Sequence, residues 1–255
     1  MSMRLGRLPP SGSAALAPRL TMFARAPLPM PPAKVDYVTG VPWRMFCNDV
    51  LGCCTISAWA NGVVQRTSLA WNTPLVMPDD VVKQIYGQLS GWTPADPVSD
   101  RGLCETDVLS WFARVGVDLG RQAPEVTLWG SIGHDDLVAF RQAIWLFGHC
   151  YIGLMLPASA RGQAVWDVPR AGAVGEGAPG SWGGHCVICA GYDENFVDCI
   201  TWGGLQRASW AFIKAYMDEA YVTHSPGEWI GSQGLSPSHF DFLSLAAACA
   251  AFQAG

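Results

Sequence analysis

Apolar residues recur at helical spacing through the first half of this chain and in short runs through the second. From Cys54 to Gln65, the positions Ile56, Trp59 or Ala60, Val63 and Val64 fall at three- and four-residue steps, which predicts a helix. Asp79 to Gly87 predicts a second helix, with acidic residues in its first turn and a glycine near its end. Thr106 to Val115 gathers Val108, Leu109, Phe112 and Val115 on one side and is closed by Gly116. Asp135 to Phe147 gives a fourth helix through Leu137, Phe140, Ile144 and Phe147. Tyr151 to Leu156 is an apolar run of strand length stopped by Pro157. His185 to Ala190 and Phe196 to Trp202 are predicted strands joined by a turn at Gly191–Asn195. Helices are then expected over Ser209–Ala220 and Asp241–Phe252.

Between these elements the chain is punctuated by glycine and proline. The stretch Gly91–Gly102, with its prolines and aspartates, predicts a loop, as do residues 158–184 with seven glycines and two prolines. Residues 1–40 carry Leu8-Pro9-Pro10 and a second proline cluster at 27–32, a density that prevents regular helix and leaves sheet ladders without donors. An extended arm is expected there, lying on the domain or on a partner. The expected organisation is an arm over 1–40, one domain over 41–224, and a tail with a short helix over 225–255. Helices come first and strands later, which predicts an α+β fold with a helical half and a sheet half.

Composition narrows the function classes. The chain has 255 residues, half of them apolar, and only 15% charged, enough to bury a core without disulfides or metal. A net charge of −5 offers no basic face for a phosphate backbone, so nucleic acid is not an expected partner. No segment has the run of apolar residues that a membrane span requires, and the start of the chain lacks the apolar core of an export signal. Nine cysteines in a long chain read as reduced thiols, most of them small core residues. No cofactor or metal is expected: Cys186 and Cys189 have half of a zinc spacing, but on a strand they point to opposite faces. His134, His149, His224 and His239 read as structural or capping residues, and Trp59, Trp111, Trp145 and Trp210 as core.

The segment Asn48-Asp-Val-Leu-Gly-Cys-Cys54-Thr is the richest in chemistry. A thiol attacks as its thiolate, and a helix N-terminus favours negative charge there through unpaired N–H groups and the helix dipole. Gly52 allows a sharp turn before the helix, and Asn48, six residues upstream, has an amide suited to donating to an oxyanion.

In these positions the chain resembles the papain-like cysteine proteases, which have a Gln six residues before the nucleophile, then Gly-x-Cys at the start of a buried helix. The resemblance continues through His185-Cys-Val-Ile-Cys-Ala-Gly-Tyr192 and Ile200-Thr-Trp202-Gly203, and covers residues 42 to 222. A closer resemblance is to uncharacterised papain-like proteins of phages and prophages. It rests on Arg4-Leu-Gly-Arg-Leu-Pro-Pro10, Asn48 to Thr55, Gly180 to His185 and Thr201 to Gln206.

The resemblance implies a Cys54–His185 pair acting on a peptide or amide bond of a peptide or protein substrate, by hydrolysis or acyl transfer. Asn48 would stabilise the oxyanion, and Trp182, Gly183, Gly184 and Trp202 would line the substrate site. Ile200 stands where the family has the Asn that orients the His; Thr201 beside it, or Asp198, are the groups able to replace that Asn. Cys53 and Cys54 point about 100° apart on a helix, so only one can face His185, and the spacing from Asn48 selects Cys54. The alternative function is an inactive papain-like component of a phage virion, with the arm docking on other phage structural proteins. The expected location is accordingly the bacterial cytoplasm or the virion.

Overall fold

The computed structural model describes residues 3–10, 17, 19, 28–117, 128–231 and 235–239. The expected helix over 241–252 lies outside them. In chain order the elements are β1 (Val35–Asp36), α1 (Cys54–Trp71), α2 (Asp79–Ser90), α3 (Glu105–Arg114), β2 (Leu128–Ser131), α4 (Leu137–Phe147) and β3 (Cys150–Leu156). They continue as β4 (Val165–Trp166), β5 (Gly183–Tyr192), β6 (Phe196–Thr201), β7 (Gly204–Ser209), α5 (Trp210–Tyr216), β8 (Met217–His224) and α6 (Pro226–Trp229). The strands form one eight-stranded sheet in the order β2-β8-β3-β5-β6-β7-β4, with β1 paired to β5. All pairings are antiparallel except that of β4 with β7. The expected α+β class is the one observed.

Two cores sit on the two faces of this sheet. Alternation along β5 sends Cys186, Ile188 and Ala190 into a core with α1, α2 and α3, and Val187 and Cys189 into a core with α4 and α5. Helix α1 is buried continuously from Cys54 to Thr67, as a helix wedged between a sheet and other helices must be. Most of its polar side chains are engaged, although Thr55 Oγ1 and Trp59 Nε1 have no hydrogen-bond partner among the described residues. Asn61 exchanges hydrogen bonds with the Arg44 backbone, Gln65 binds His149 and the Gly148 carbonyl, and Arg66 pairs with Glu228 at 2.5 Å. The Arg66–Glu228 pair, with Trp229 buried beside it, fixes α6 against the far end of α1.

Several boundaries differ from the sequence pattern. Helix α1 runs six residues further than the apolar spacing indicated, to Trp71. The helix expected over Ser209–Ala220 stops at Tyr216, because Met217 onward enters the sheet between β2 and β3 and gains ladder partners on both sides. The glycine-rich segment 158–184 contains the short strand β4, which pairs with β7.

On the helical side, the indole of Trp59 stacks on Phe112 with ring centroids 3.4 Å apart and is 1% exposed. Replacing Trp59 by Ala is expected to cost about 3–5 kcal/mol. The check is urea unfolding, in which the midpoint falls while the slope is unchanged.

Candidate active site

Cys54 is the first residue of α1 and His185 the third of β5, so the packing of α1 on β5 brings both to one end of the sheet. The Cys54 thiol lies against the backbone N–H groups of Cys186 and Gly6. His185 is fully buried. Its Nε2 is hydrogen-bonded to Thr201 Oγ1 at 2.6 Å, and its ring stacks on Trp202 with centroids 4.3 Å apart. Ile200, in the preceding position, faces the helical core. The chain thus places a hydroxyl on the imidazole where the sequence pattern showed no amide. With Nε2 occupied, Nδ1 has no hydrogen-bond partner among the described residues, the Cys54 thiol included.

Trp202 holds its place through backbone geometry. It and Gly203 form the two-residue turn between β6 and β7, both at positive φ (45° and 76°). This is the twist that a tight hairpin demands, and it folds the indole over His185. Trp182 stacks on Trp202 in turn, at 5.7 Å, beneath the guanidinium of Arg161. Cys53 points elsewhere: its thiol lies 3.4 Å from the Phe46 carbonyl and from Ser57 Oγ, within the helical half. The competing thiol is therefore a core residue.

The cleft is filled by the chain's own arm. Arg4 N–H donates to the Asn48 carbonyl, and the Asn48 amide donates back to the Arg4 carbonyl at 3.3 Å and to Leu51 at 3.1 Å. Trp202 Nε1 also donates to the Arg4 carbonyl. Gly6 and Arg7 N–H groups both donate to the Gly184 carbonyl, one residue before His185. On the opposite wall, Leu103 N–H donates to the Gly6 carbonyl and Leu8 N–H to the Leu103 carbonyl, a parallel bridge centred on Arg7. Leu5 packs over Gly183. Asn48, Gly183, Gly184 and Trp202 thus all contact an extended peptide, and the peptide is residues 4–8.

Occlusion sets the protonation states. Burial pushes the Cys54 thiol up to about 12, and burial with the nearby Arg7 charge pulls His185 down to about 3. In the arm-bound state the two groups are a neutral thiol and a neutral imidazole.

Comparison with solved structures reaches cysteine proteases over three quarters or more of the chain. Xylellain, a cysteine protease from Xylella fastidiosa, superposes with a TM-score of 0.60 at 14% identity, over 88% of this chain and 97% of that one. The Carica candamarcensis cysteine protease CMS1MS2 gives 0.53 at 14% identity, over 76% and 99%. The Trypanosoma congolense procathepsin B gives 0.55 at 10% identity, over 87% and 86%.

The fold is papain-like.

No protein-family model matches the chain, and no curated protein matches it in sequence. On the papain-like scaffold, the residues that sequence reasoning missed are Arg7, Glu105, Asp218 and Glu219. Arg7 enters the protein beside the cleft and meets all three carboxylates. Its only sequence signal was its place in Arg4-Leu-Gly-Arg-Leu-Pro-Pro10. Asp218 and Glu219 fell in a stretch read as helix.

With the arm in place, alkylation by iodoacetamide at pH 8 followed by peptide mapping should modify the partly exposed Cys104 first among the described cysteines. Cys54 should be among the last, because its thiol is both covered and protonated.

Proposed function

We propose that this chain is a papain-like cysteine peptidase with Cys54 as nucleophile and His185 as its proton partner, held latent by its own residues 4–8. The observation that carries the reading is that the cleft beside these two residues already accommodates an extended peptide through backbone hydrogen bonds on both walls. Thr201 holds His185 by Nε2 and leaves Nδ1 as the nitrogen able to take the thiol proton once the arm has left. With water admitted, the desolvation that keeps both groups neutral is relieved, and the thiolate–imidazolium form becomes accessible at the start of α1. The thiolate attacks the substrate carbonyl carbon, and the Asn48 amide, freed from Arg4, donates to the oxyanion. The imidazolium then protonates the leaving amine, and water releases the acyl group; a second amine in place of water gives acyl transfer. Trp202 shields the His185–Thr201 bond from solvent.

The same occlusion favours a second reading. If the arm never leaves, Cys54 stays a covered thiol and the papain-like scaffold serves as an interaction component, such as one within a phage particle.

Gly6 separates the two. A Cβ added at Gly6 would overlap the Gly52 backbone, so Gly6→Val forces the arm out of its track. In the full-length Gly6→Val chain, Cys54 should be alkylated rapidly at pH 6, where an unperturbed thiol is almost wholly protonated, and fluorogenic peptides should be cleaved. Adding His185→Ala should abolish both, and Cys54→Ala the cleavage. Adding Thr201→Val should lower kcat by about tenfold or more through the unanchored imidazole. Slow, uniform labelling of thiols in Gly6→Val, without cleavage, would leave the interaction reading standing.

A further inference from the structure

Arg7 is 4% exposed, and the hollow that takes it is built around its guanidinium. Nε and Nη2 both donate to Glu219 Oε1, at 3.0 and 2.5 Å, Nη2 reaches Asp218 Oδ1 at 2.7 Å, and Nε stands 3.4 Å from Glu105 Oε1. Nη1 meets the Met155 sulfur at 3.6 Å. Glu219 is aimed by the Tyr221 hydroxyl, which donates to its other oxygen at 2.6 Å. Space comes from Gly153 on β3, where a Cβ would overlap Arg7 Nε, and from Gly184, where it would overlap the Arg7 carbonyl oxygen. The walls belong to α3, β3, β5 and β8, all parts of the domain. The occupant belongs to the arm. Asp218 keeps 31% of its side chain exposed, so the hollow opens to solvent on that side.

Asp218 and Glu219 against one cation leave the hollow with an excess of negative charge, and without Arg7 the buried Glu105 and Glu219 face each other with no cation of the described residues between them. Burial already raises Glu105 well above the usual carboxylate range, against the pull of Arg7. Such a site takes up a cation strongly. Simultaneous use of Nε and Nη2 suits the planar fork of arginine and not the single point charge of lysine.

We propose that the hollow of Glu105, Asp218, Glu219 and Gly153 is an arginine-recognition pocket of the cleft, which Arg7 fills in cis and which otherwise takes an arginine side chain of a bound peptide. The pocket itself does not depend on turnover; only its translation into a cleavage preference rests on the peptidase reading above. The peptide backbone around that arginine would run between Gly184 and Leu103, as residues 6–8 do.

The test uses the full-length chain carrying Gly6→Val, Arg7→Ala and Cys54→Ala, so that the arm is out of its track and binding is read without catalysis. The probe is a fluorescein-labelled peptide copying residues 4–9, compared with the same peptide carrying citrulline or lysine at the arginine that corresponds to Arg7. By anisotropy the arginine peptide should bind at least about tenfold more tightly than the citrulline peptide, which keeps the shape and removes the charge. Lysine should fall between them. Adding Glu219→Gln should bring the arginine and citrulline affinities to within about threefold of each other. Without Gly6→Val and Arg7→Ala, the chain should bind the arginine peptide weakly, its own arm being in place. Should Arg7→Ala lower the melting temperature, the arginine peptide at millimolar concentration should restore it and the citrulline peptide should not. Equal binding of the arginine and citrulline peptides, or a loss of folding that the arginine peptide does not restore, overturns the proposal and makes Arg7 a strut of the fold. Cleavage by Gly6→Val with no arginine preference overturns it while leaving the peptidase reading intact. Arginine-selective binding in a chain that never cleaves does the reverse.

Discussion

Helix α1 has no solvent face from Cys54 to Thr67, and this burial dictates how the rest of the molecule is arranged. A helix enclosed on every side needs a wall on every side. The sheet supplies one through Cys186, Ile188 and Ala190 of β5, and α2 and α3 supply others. The polar residues on such a helix must find partners inside, and Asn61, Gln65 and Arg66 do so through Arg44, His149 and Glu228. The consequence for chemistry lies at the first turn. The N-terminus of α1 is carried to the beginning of β5, so the Cys54 thiol lies against the backbone N–H of Cys186, the residue that follows His185. The partners of His185, Thr201 and Trp202, come from β6 and its turn, the next strand in the sheet.

The arm completes this arrangement at the end of α1 that the domain leaves open. Burying an arginine costs several kcal/mol in desolvation, which only close, well-aimed carboxylates recover. Here the carboxylates are in excess, so the balance depends on the arm: with Arg7 in, one cation answers three acids; with it out, the acids oppose one another. The same guanidinium helps to keep His185 neutral, since a positive charge nearby disfavours the imidazolium. One side chain therefore ties the position of the arm to the protonation of the site it covers.

The α+β class and the elements carrying Cys54 and His185 were legible because their signals are local. A three-and-four spacing gives α1, an apolar run gives β5, and the six-residue step from Asn48 singles out Cys54 over Cys53. Strand β8 was not legible: Ser209 to Ala220 has helical composition, and only its place between β2 and β3 turns the second part into strand. The three-carboxylate hollow was hidden for a related reason. Glu105 opens a helix and Asp218 and Glu219 begin a strand more than a hundred residues later, and nothing in either neighbourhood announces that they converge. The role of Thr201 was readable only as one of two replacements for a missing Asn, since choosing it over Asp198 requires knowing that the hydroxyl reaches Nε2, whereas Asp198 is held by Arg207.

Glycines along the arm's track carry information that composition reads as flexibility. Gly6 lies so close to Gly52 and Gly102 that a Cβ at any of the three would press on the neighbouring backbone, and Gly153 and Gly184 would do the same to Arg7. A glycine chosen for turn geometry is explained by its own φ; Gly6, Gly52, Gly153 and Gly184 sit outside the positive-φ set. What accounts for them is another segment at van der Waals distance. A floppy tail would place no such demand on Gly153 or Gly184 in the middle of a sheet, where glycine weakens a strand. These positions are shaped for a chain that lies in the cleft, and the pocket between them is shaped for the arginine that chain carries.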